Sequence, residues 1–573
     1  MVIQRKFSTL AMNTVALNIH PIRITQATPD RMEPSPVNAT RENNDWWRGA
    51  AIYQIYPRSF ADSNGDGIGD LCGVIEHLDY VASLGVDGIW LSPFFPSPMR
   101  DFGYDVLDYC NVAPVFGTLA EFDALVARAH ALSLKVIIDQ VWSHTAIEHP
   151  WFEESRQSRT NPKSDWYTWA DAKPDGSPPS NWQSWMGGST WTWDARRKQY
   201  YLHNFLPQMP DLNFHNRQVQ DAILEVGRFW LERGVDGFRL DTANYYCHNR
   251  SLIDNPAQPT GKGGDIPAAM QVHLNDVCQP ETLHFIERVR ELMDGFDARM
   301  TVAEIGSEAN LERMIEYTQG HKRLHTAYSF LLLGDQPIPA RLVEINVAWQ
   351  EDAGSAAWPS WALSNHDSTR VGTRWAEGDA RRVRQLLALL ACLRGTLFIY
   401  QGEELGLTES DVPYEDIRDP LGRAHWPHNK GRDGCRTPFP WKAHALHGGF
   451  GHATPWLPVD AANQLRAVDV QEEDAASTLQ FTRKLLAMRR AHPALRSGDL
   501  QSLQADEHIL LALRRAKGDT MLCAFNMSAQ ARTVALEQAF ESSGEPLCVG
   551  HVVQQNASLQ MEPWSAMLLP VKI

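Results

Sequence analysis

Asp139, Asp241, Glu304 and Asp367 each stand at the end of a short apolar run, with His144, Arg239 and His366 beside them. A carboxylate held ionised by a neighbouring cation is a nucleophile; one held protonated by its surroundings is a general acid. Arg239, two residues before Asp241, is such a cation. In residues 237–241 (GFRLD) the period of an extended chain puts Gly237, Arg239 and Asp241 on one face and Phe238 and Leu240 on the other. Two carboxyl groups ~5–5.5 Å apart cleave glycosidic bonds with retention. A third carboxylate and two histidines would hold sugar hydroxyls and favour a distorted, cationic transition state. One acid alone reads equally well as a cap or ion-pair partner; the set, gathered at four strand ends, does not.

Positioning such a set needs strands that end together. Residues 51–56, 86–95, 135–142, 235–241, 300–305, 327–333, 361–366 and 396–401 read as strands. Between them, 76–84, 119–134, 218–233, 282–293 and 381–393 read as helices; Ile223, Val226, Phe229 and Trp230 show the helical spacing. Apolar strands alternating with helices imply a parallel sheet buried on both faces. Eight such units close a (β/α)8 TIM barrel of the α/β class, whose C-terminal mouth carries the chemistry. The structural rival, an open doubly wound sheet, lacks a glycine-rich dinucleotide fingerprint after any strand.

Two stretches interrupt the rhythm. Residues 145–213 are too long for a loop and hold Trp151, Trp166, Trp169, Trp182, Trp185, Trp191 and Trp193, so an inserted B domain is expected after strand 3. Residues 245–280 form the second interruption, after strand 4. Beyond a last helix at 477–490, the runs 509–513 and 520–525 read as antiparallel strands. The expected domains are a loose N-terminal extension (1–45), the barrel (46–144 and 214–492), the insert (145–213) and a C-terminal antiparallel β-sandwich (499–573).

Composition narrows the function classes. The 573 residues, 43% hydrophobic and 21% charged, suffice for a large core. A net charge of −16 argues against a broad grip on nucleic acid or anionic lipid. No apolar run is long enough to span a membrane. The eight cysteines are scattered without a CxxC pair, which argues against a zinc site or disulfide framework and for reduced thiols in the cytoplasm. The periplasm is the minor alternative: residues 5–19 have a basic start and an apolar stretch, but polar residues dilute it and no clean cleavage site follows. Twenty tryptophans serve cores and sugar stacking alike.

Residues 62–70 (DSNGDGIGD) form a separate signal. Oxygens of Asp62, Asn64, Asp66, the Ile68 carbonyl and Asp70 match the early part of a calcium loop. Gly73 stands where an EF-hand needs glutamate, so this is no EF-hand. A structural Ca2+ or Mg2+ is expected, against the alternative of a plain Asx/Gly turn. No organic cofactor is expected.

The motifs together resemble the alpha-amylase family, glycoside hydrolase family thirteen, from about Trp46 to the end of the chain. Residues 139–144 (DQVWSH) look like its first conserved region, 237–241 its second, 302–305 (VAEI) its third and 365–367 (NHD) its fourth. The resemblance implies Asp241 as nucleophile, Glu304 as general acid/base and Asp367 as the residue that binds and distorts the first sugar. It also implies His144, Arg239 and His366 at the substrate. Residues 209–213 (MPDLN), 103–105 (GYD) and 432–437 (RDGCRT) look like the oligo-glucosidase branch, in which an acid and an arginine close a blind pocket around one terminal glucose. That implies Asp105 with either Arg432 or Arg436. In this branch valine after the nucleophile accompanies α-1,6 preference and alanine or threonine α-1,4; Thr242 points to short α-1,4 substrates such as maltose. The chain departs from the family at Ser143, where asparagine usually precedes the histidine.

The implied activity is a retaining exo-acting alpha-glucosidase, with transfer to hydroxyl acceptors. Sucrose isomerase, trehalose synthase and phosphorylase share the same triad and are the alternatives within the family. A non-catalytic scaffold, as in transporter heavy chains, is the alternative outside the enzymes. Expected partners are small oligosaccharides and acceptors, without nucleic acid or membrane, for a monomer or homodimer.

Overall fold

Three apolar segments, Ala51–Ile55 (β1), Gly88–Leu91 (β2) and Lys135–Gln140 (β3), pair in parallel in the computed structural model. It describes residues 45–259, 266–306, 310–334, 339, 342–343, 345 and 357–572. The expected N-terminal extension therefore lies almost wholly outside the described residues. The insert follows with Trp169–Ala170 (β4), Trp191–Asp194 (β5) and Gln199–Leu202 (β6), an antiparallel three-stranded sheet. The barrel resumes with Gly237–Leu240 (β7), Met300–Ile305 (β8), Thr326–Ser329 (β9), Ser360–Ala362 (β10) and Thr396–Tyr400 (β11). The eight parallel strands run in the order β10-β11-β1-β2-β3-β7-β8-β9, and a parallel bridge from Ala327 to Pro359 joins the two ends into a barrel.

Strand residues alternate between two cores. Ile52, Trp90, Ile137, Met300, Val302, Tyr328, Ala362 and Phe398 fill the barrel interior. Their neighbours Tyr53, Ile89, Leu91, Ile138, Phe238, Leu240 and Leu397 face the helical ring. There the helix Arg217–Glu232 buries Ile223, Val226 and Trp230 of the spacing read in its sequence, with Val219 beside them, while Phe229 stays half-buried at the edge of the stripe. Gly237 opens β7 because any side chain would collide: a Cβ there would lie 2.8 Å from the Met300 carbonyl oxygen.

Several expected elements are shorter than their apolar runs. The run 86–95 is a strand only over Gly88–Leu91, because Pro93 and Pro96 follow and proline cannot continue the ladder. The run 327–333 leaves the sheet after Ser329 and turns into a 3-10 segment, Phe330–Leu332. The expected helix 76–84 is two short helices, Leu71–Glu76 and Leu78–Ser83, which meet at His77. The His77 ring bonds the Gly73 carbonyl (Nδ1 to O, 2.9 Å), competing with the backbone for that acceptor.

The C-terminal segment begins with Asp499–Ala505 (β12), Ile509–Ala516 (β13), Asp519–Asn526 (β14) and Arg532–Ala535 (β15). Glu541–Ser542 (β16), Leu547–Val549 (β17), Val552–Gln555 (β18), Ser558–Met561 (β19) and Ser565–Lys572 (β20) complete it. β12-β13-β14-β20-β16 form one sheet, with β17 also on β20, and β15-β19-β18 a second. Period two divides β13: Ile509, Leu511 and Leu513 face the small sheet, while Leu510 and Ala512 join the barrel's outer core. Arg514, next on that inner face, donates to the Cys392 carbonyl (2.6 Å) and the Gly498 carbonyl (2.7 Å). No two of the eight cysteines are joined in a disulfide. Among the described residues no helix is long and apolar enough to cross a membrane.

Candidate active site

Strand register sets the polar groups. Asp139 on β3 is level with Arg239 on β7, and Glu304 on β8 is level with Tyr328 on β9. Leu240 pairs with Ala303, so the next step along brings Asp241 beside Glu304. Arg239 is fully buried and serves all three acids. Its Nη1 donates to Asp139 Oδ1 (2.8 Å) and Asp241 Oδ1 (2.5 Å), and its Nη2 lies 2.6 Å from Glu304 Oε2 and 3.1 Å from the Tyr328 hydroxyl. The guanidinium also stands 5.1 Å above the Trp90 ring. The Thr242 N–H points at Glu304 Oε2 (3.3 Å) from a backbone with φ of +42°, uncommon for a β-branched residue.

Asp367 lies beyond β10, and two arginines meet its Oδ1: Arg436 at 2.7 Å and Arg432 at 3.2 Å. They differ in place. Arg436 is fully buried behind Asp367 and donates to the His366 carbonyl (2.6 Å). Arg432 lines the cavity and is clamped by Asp101 and by Asp419 (2.8 Å).

The expected acid partner, Asp105, is a correction. It is wholly buried and accepts from the Ser97 hydroxyl (2.7 Å) and the backbone N–H groups of Arg100 (2.9 Å) and Asp101 (3.1 Å). The acid that meets the arginine is Asp101. Phe102 and Gly103 have φ of +51° and +111°, so the chain reverses between the two acids and only the first faces the cavity. Gly103 signalled a turn in the sequence; nothing there signalled which acid it would present.

His366 reaches the site indirectly. Its ring is fully buried, stacked 5.3 Å from Tyr104, with Nδ1 accepting from Gln54 Nε2 (2.8 Å). The ring proton is thus on Nε2, 2.5 Å from the Tyr104 hydroxyl and 3.2 Å from Asp367 Oδ2. Tyr104 in turn donates to Asp139 Oδ2 (3.0 Å). His144 lines the cavity, but both its nitrogens have protein partners, Ser143 Oγ at 2.8 Å and the Tyr104 carbonyl at 3.1 Å. The sequence reading gave no role to Asp101, Tyr104, Tyr328 or Asp419. Tyr104 stood inside a quoted motif; Tyr328 and Asp419 become legible only through register and contact.

These groups surround a cavity of about 770 Å3. Asp241, Glu304, Asp367, Asp101 and Arg432 gather at its polar end. Trp185 and Phe205 from the insert, with Tyr245, Val272, Leu274 and Phe330, line the rest. Trp185 is held by a bond to the Tyr245 hydroxyl (2.6 Å) and stacks on His273 at 5.2 Å.

Burial and charge separate the acids. Burial pushes Glu304 up to about 7, helped by the negative charges of Asp241 and Asp367 and opposed by Arg239. Burial lifts Asp241 to about 6, again against Arg239. Asp367 is held well below the usual carboxylate range, because His366, Arg432 and Arg436 outweigh its burial. Burial keeps His144 neutral, lowered to about 4, and His366 to about 3. Asp139, on the same guanidinium, is lifted to about 6 as well, so of these acids burial favours a proton most on Glu304 and the arginines favour the anion most on Asp367.

The loop 62–70 lies after β1, away from this set in sequence. Asp62 accepts from the N–H groups of Gly65 (2.7 Å) and Gly67 (3.0 Å), Asn64 from Asp66 (2.9 Å), and Asp66 from Ile68 (2.8 Å). Asp70 caps the next helix through Gly73 N–H (2.7 Å). The oxygen donors suit a hard cation. As folded they form Asx turns and a cap, and among the described residues no three acidic, histidine or cysteine side chains converge as metal ligands.

Known proteins resemble the chain along most of its length. The alpha-amylase catalytic-domain family model matches residues 54–498. A probable alpha-glucosidase of Rhizobium meliloti (strain 1021) is 53% identical over 506 residues, covering 86% of this chain and 91% of that protein. The crystal structure of the alpha-glucosyl transfer enzyme XgtA is 49% identical with a TM-score of 0.89, covering 92% of this chain and 99% of the other. The trehalulose synthase MutB from Pseudomonas mesoacidophila MX-45 is 30% identical with a TM-score of 0.83, covering 92% and 99%.

Proposed function

Because the chain belongs to the alpha-amylase family and is a glycoside hydrolase of the alpha-glucosidase type, we propose that it is a retaining, exo-acting enzyme. It releases glucose from the non-reducing end of short α-1,4 substrates such as maltose and passes glucose to hydroxyl acceptors as well as to water. The observation that carries this reading is the single guanidinium of Arg239 holding Asp241 on one terminal nitrogen and Glu304 on the other. That favours the short carboxyl separation of a retaining pair, ~5–5.5 Å, over an inverting one.

In this reading Asp241 attacks C1 while Glu304 protonates the departing oxygen. Glu304, now a base, takes a proton from water or an acceptor hydroxyl, which attacks the glucosyl ester and restores the α configuration. Asp367, kept anionic by Arg432 and Arg436, grips the hydroxyls of the first sugar. Asp101 with Arg432 marks the closed end, where a terminal glucose would be recognised. Thr242 supports the α-1,4 linkage, and the aromatic outer cavity supports binding of acceptors.

Proton NMR of the first product from maltose, isomaltose and sucrose tests the proposal. Early α-glucose from maltose, with little from isomaltose, is expected. Asp241→Asn should cut turnover by roughly 10²-fold or more, since the nucleophile is lost. The likeness to a trehalulose synthase favours one second reading, isomerisation of sucrose; an isomer of sucrose as main product, with little free glucose, would establish it over hydrolysis.

A structural Ca2+ or Mg2+ at Asp62, Asn64, Asp66, Ile68 and Asp70 is also part of this proposal, supported by donor spacing. Such an ion would tie the loop after β1 and take no part in the chemistry. Calcium should raise the melting temperature of chelator-treated protein, and Asp66→Ala should remove that rise. An unchanged melting temperature would leave the loop as Asx turns.

A further inference from the structure

A chain of side chains leads from the nucleophile to the first conserved region. Asp241 Oδ1 is engaged by Arg239, while its Oδ2 lies 3.2 Å from Thr242 Oγ1. Thr242 Oγ1 lies 2.9 Å from Ser143 Oγ, Ser143 Oγ 2.8 Å from His144 Nδ1, and His144 Nε2 3.1 Å from the Tyr104 carbonyl oxygen. These are four gaps, each needing one proton to be a hydrogen bond. A neutral imidazole and two hydroxyls supply three. One gap must be without a proton.

Distance identifies it. A hydroxyl donating to an ionised carboxylate closes to ~2.5–2.7 Å. The Thr242–Asp241 gap, at 3.2 Å, is the longest of the four, while the Ser143 gaps have the lengths of ordinary neutral bonds. At the far end the Tyr104 carbonyl can only accept, which fixes the imidazole proton on Nε2 and leaves Nδ1 to accept. Ser143 must then donate to His144, and the Thr242 hydroxyl must donate to Ser143.

We infer that Ser143 is a positioning residue for the nucleophile: it draws the Thr242 proton away from Asp241 and leaves Oδ2 with an undonated lone pair for C1. This rests on the nucleophile role proposed for Asp241. Loss of the Ser143 hydroxyl removes Thr242's acceptor, and its proton then turns to Asp241 Oδ2. A donor on the carboxylate stabilises the ion, lowers its pKa and blunts its attack.

The test compares wild type, Ser143→Ala, Thr242→Val and the double variant on p-nitrophenyl α-glucoside across pH. The groups facing Asp241 are Arg239 on its own strand, Asp139, Glu304, Asp367, Tyr104 and Tyr246, and they are common to all four proteins. In Ser143→Ala the acid limb of kcat/KM should fall by about 0.5–1 pH unit, with a several-fold lower plateau. In Thr242→Val the limb should stay at the wild-type position, and the double variant should return to it. A Ser143→Ala limb that stays put, or a Thr242→Val limb that rises, would overturn the relay. Carboxyl-13C NMR titration of Asp241 in the same proteins reads the shift without turnover, so the relay is decided separately from the substrate proposal.

Discussion

Glu304 and Asp241 share Arg239, yet they must differ by one proton to work together. Burial lifts Glu304 to about 7 and both Asp241 and Asp139 to about 6, so the acids around Arg239 titrate as one interacting set in which Glu304 keeps its proton longest. The rate should rise as Asp241 loses its proton and fall as Glu304 loses its own. kcat/KM against pH should therefore be a bell whose limbs belong to the interacting acids around Arg239. Glu304→Gln should abolish the alkaline limb for a substrate with a good leaving group. Asp101 and Asp105 give a second residue-scale contrast. Asp101→Ala should raise KM for maltose by about tenfold or more, because the Arg432 clamp at the closed end is broken. Asp105→Ala should lower the melting temperature, because three loop donors lose their acceptor. That Asp241, Glu304 and Asp367 gather at one mouth was legible because each follows or ends an apolar run. Asp101 was not, because its orientation depends on a backbone reversal at Phe102 that no residue type dictates. Tyr328 was not, because cross-strand level is set by register.

At the scale of elements, the barrel strands were legible as apolar runs, and their ends were overestimated wherever the run continued into proline or a tight turn. The insert was legible as an interruption, but not the way it docks. Asp211 shows that docking. It bridges to His144 through the backbone, accepts from Asn204 Nδ2 (2.5 Å) through one oxygen, and has its other oxygen buried without a partner. Burial pushes its carboxyl up to about 8. The folded protein thus holds a proton that the unfolded chain releases near ~4. Stability should fall as pH rises from about 4 through about 8. Asp211→Asn should flatten that fall, melting above wild type at pH 9 and closer to it at pH 5.

Across the whole molecule, one sheet of the C-terminal segment belongs to two cores at once. Leu510 and Ala512 complete the barrel's outer layer, and Ile509, Leu511 and Leu513 the interior of the β domain. Arg514 ties that sheet to Cys392 at the end of a barrel helix. The sequence showed an antiparallel domain there through its short strands. It did not show that the domain finishes the barrel's own packing, because period two says that a strand has two faces and not what covers each.

The barrel itself closes unevenly. Seven of its strand pairs are ladders, but β9 and β10 meet, among the described residues, through the one bridge from Ala327 to Pro359. In mechanical terms the cylinder has a fuse. Amide hydrogen exchange should find the N–H groups of β9 and β10 exchanging ahead of those of β2, β3 and β7, whose neighbours hold them on both sides. Tyr328 and Asp367 flank that seam, so the first breath of the barrel would loosen the grip on sugar before it disturbs the nucleophile.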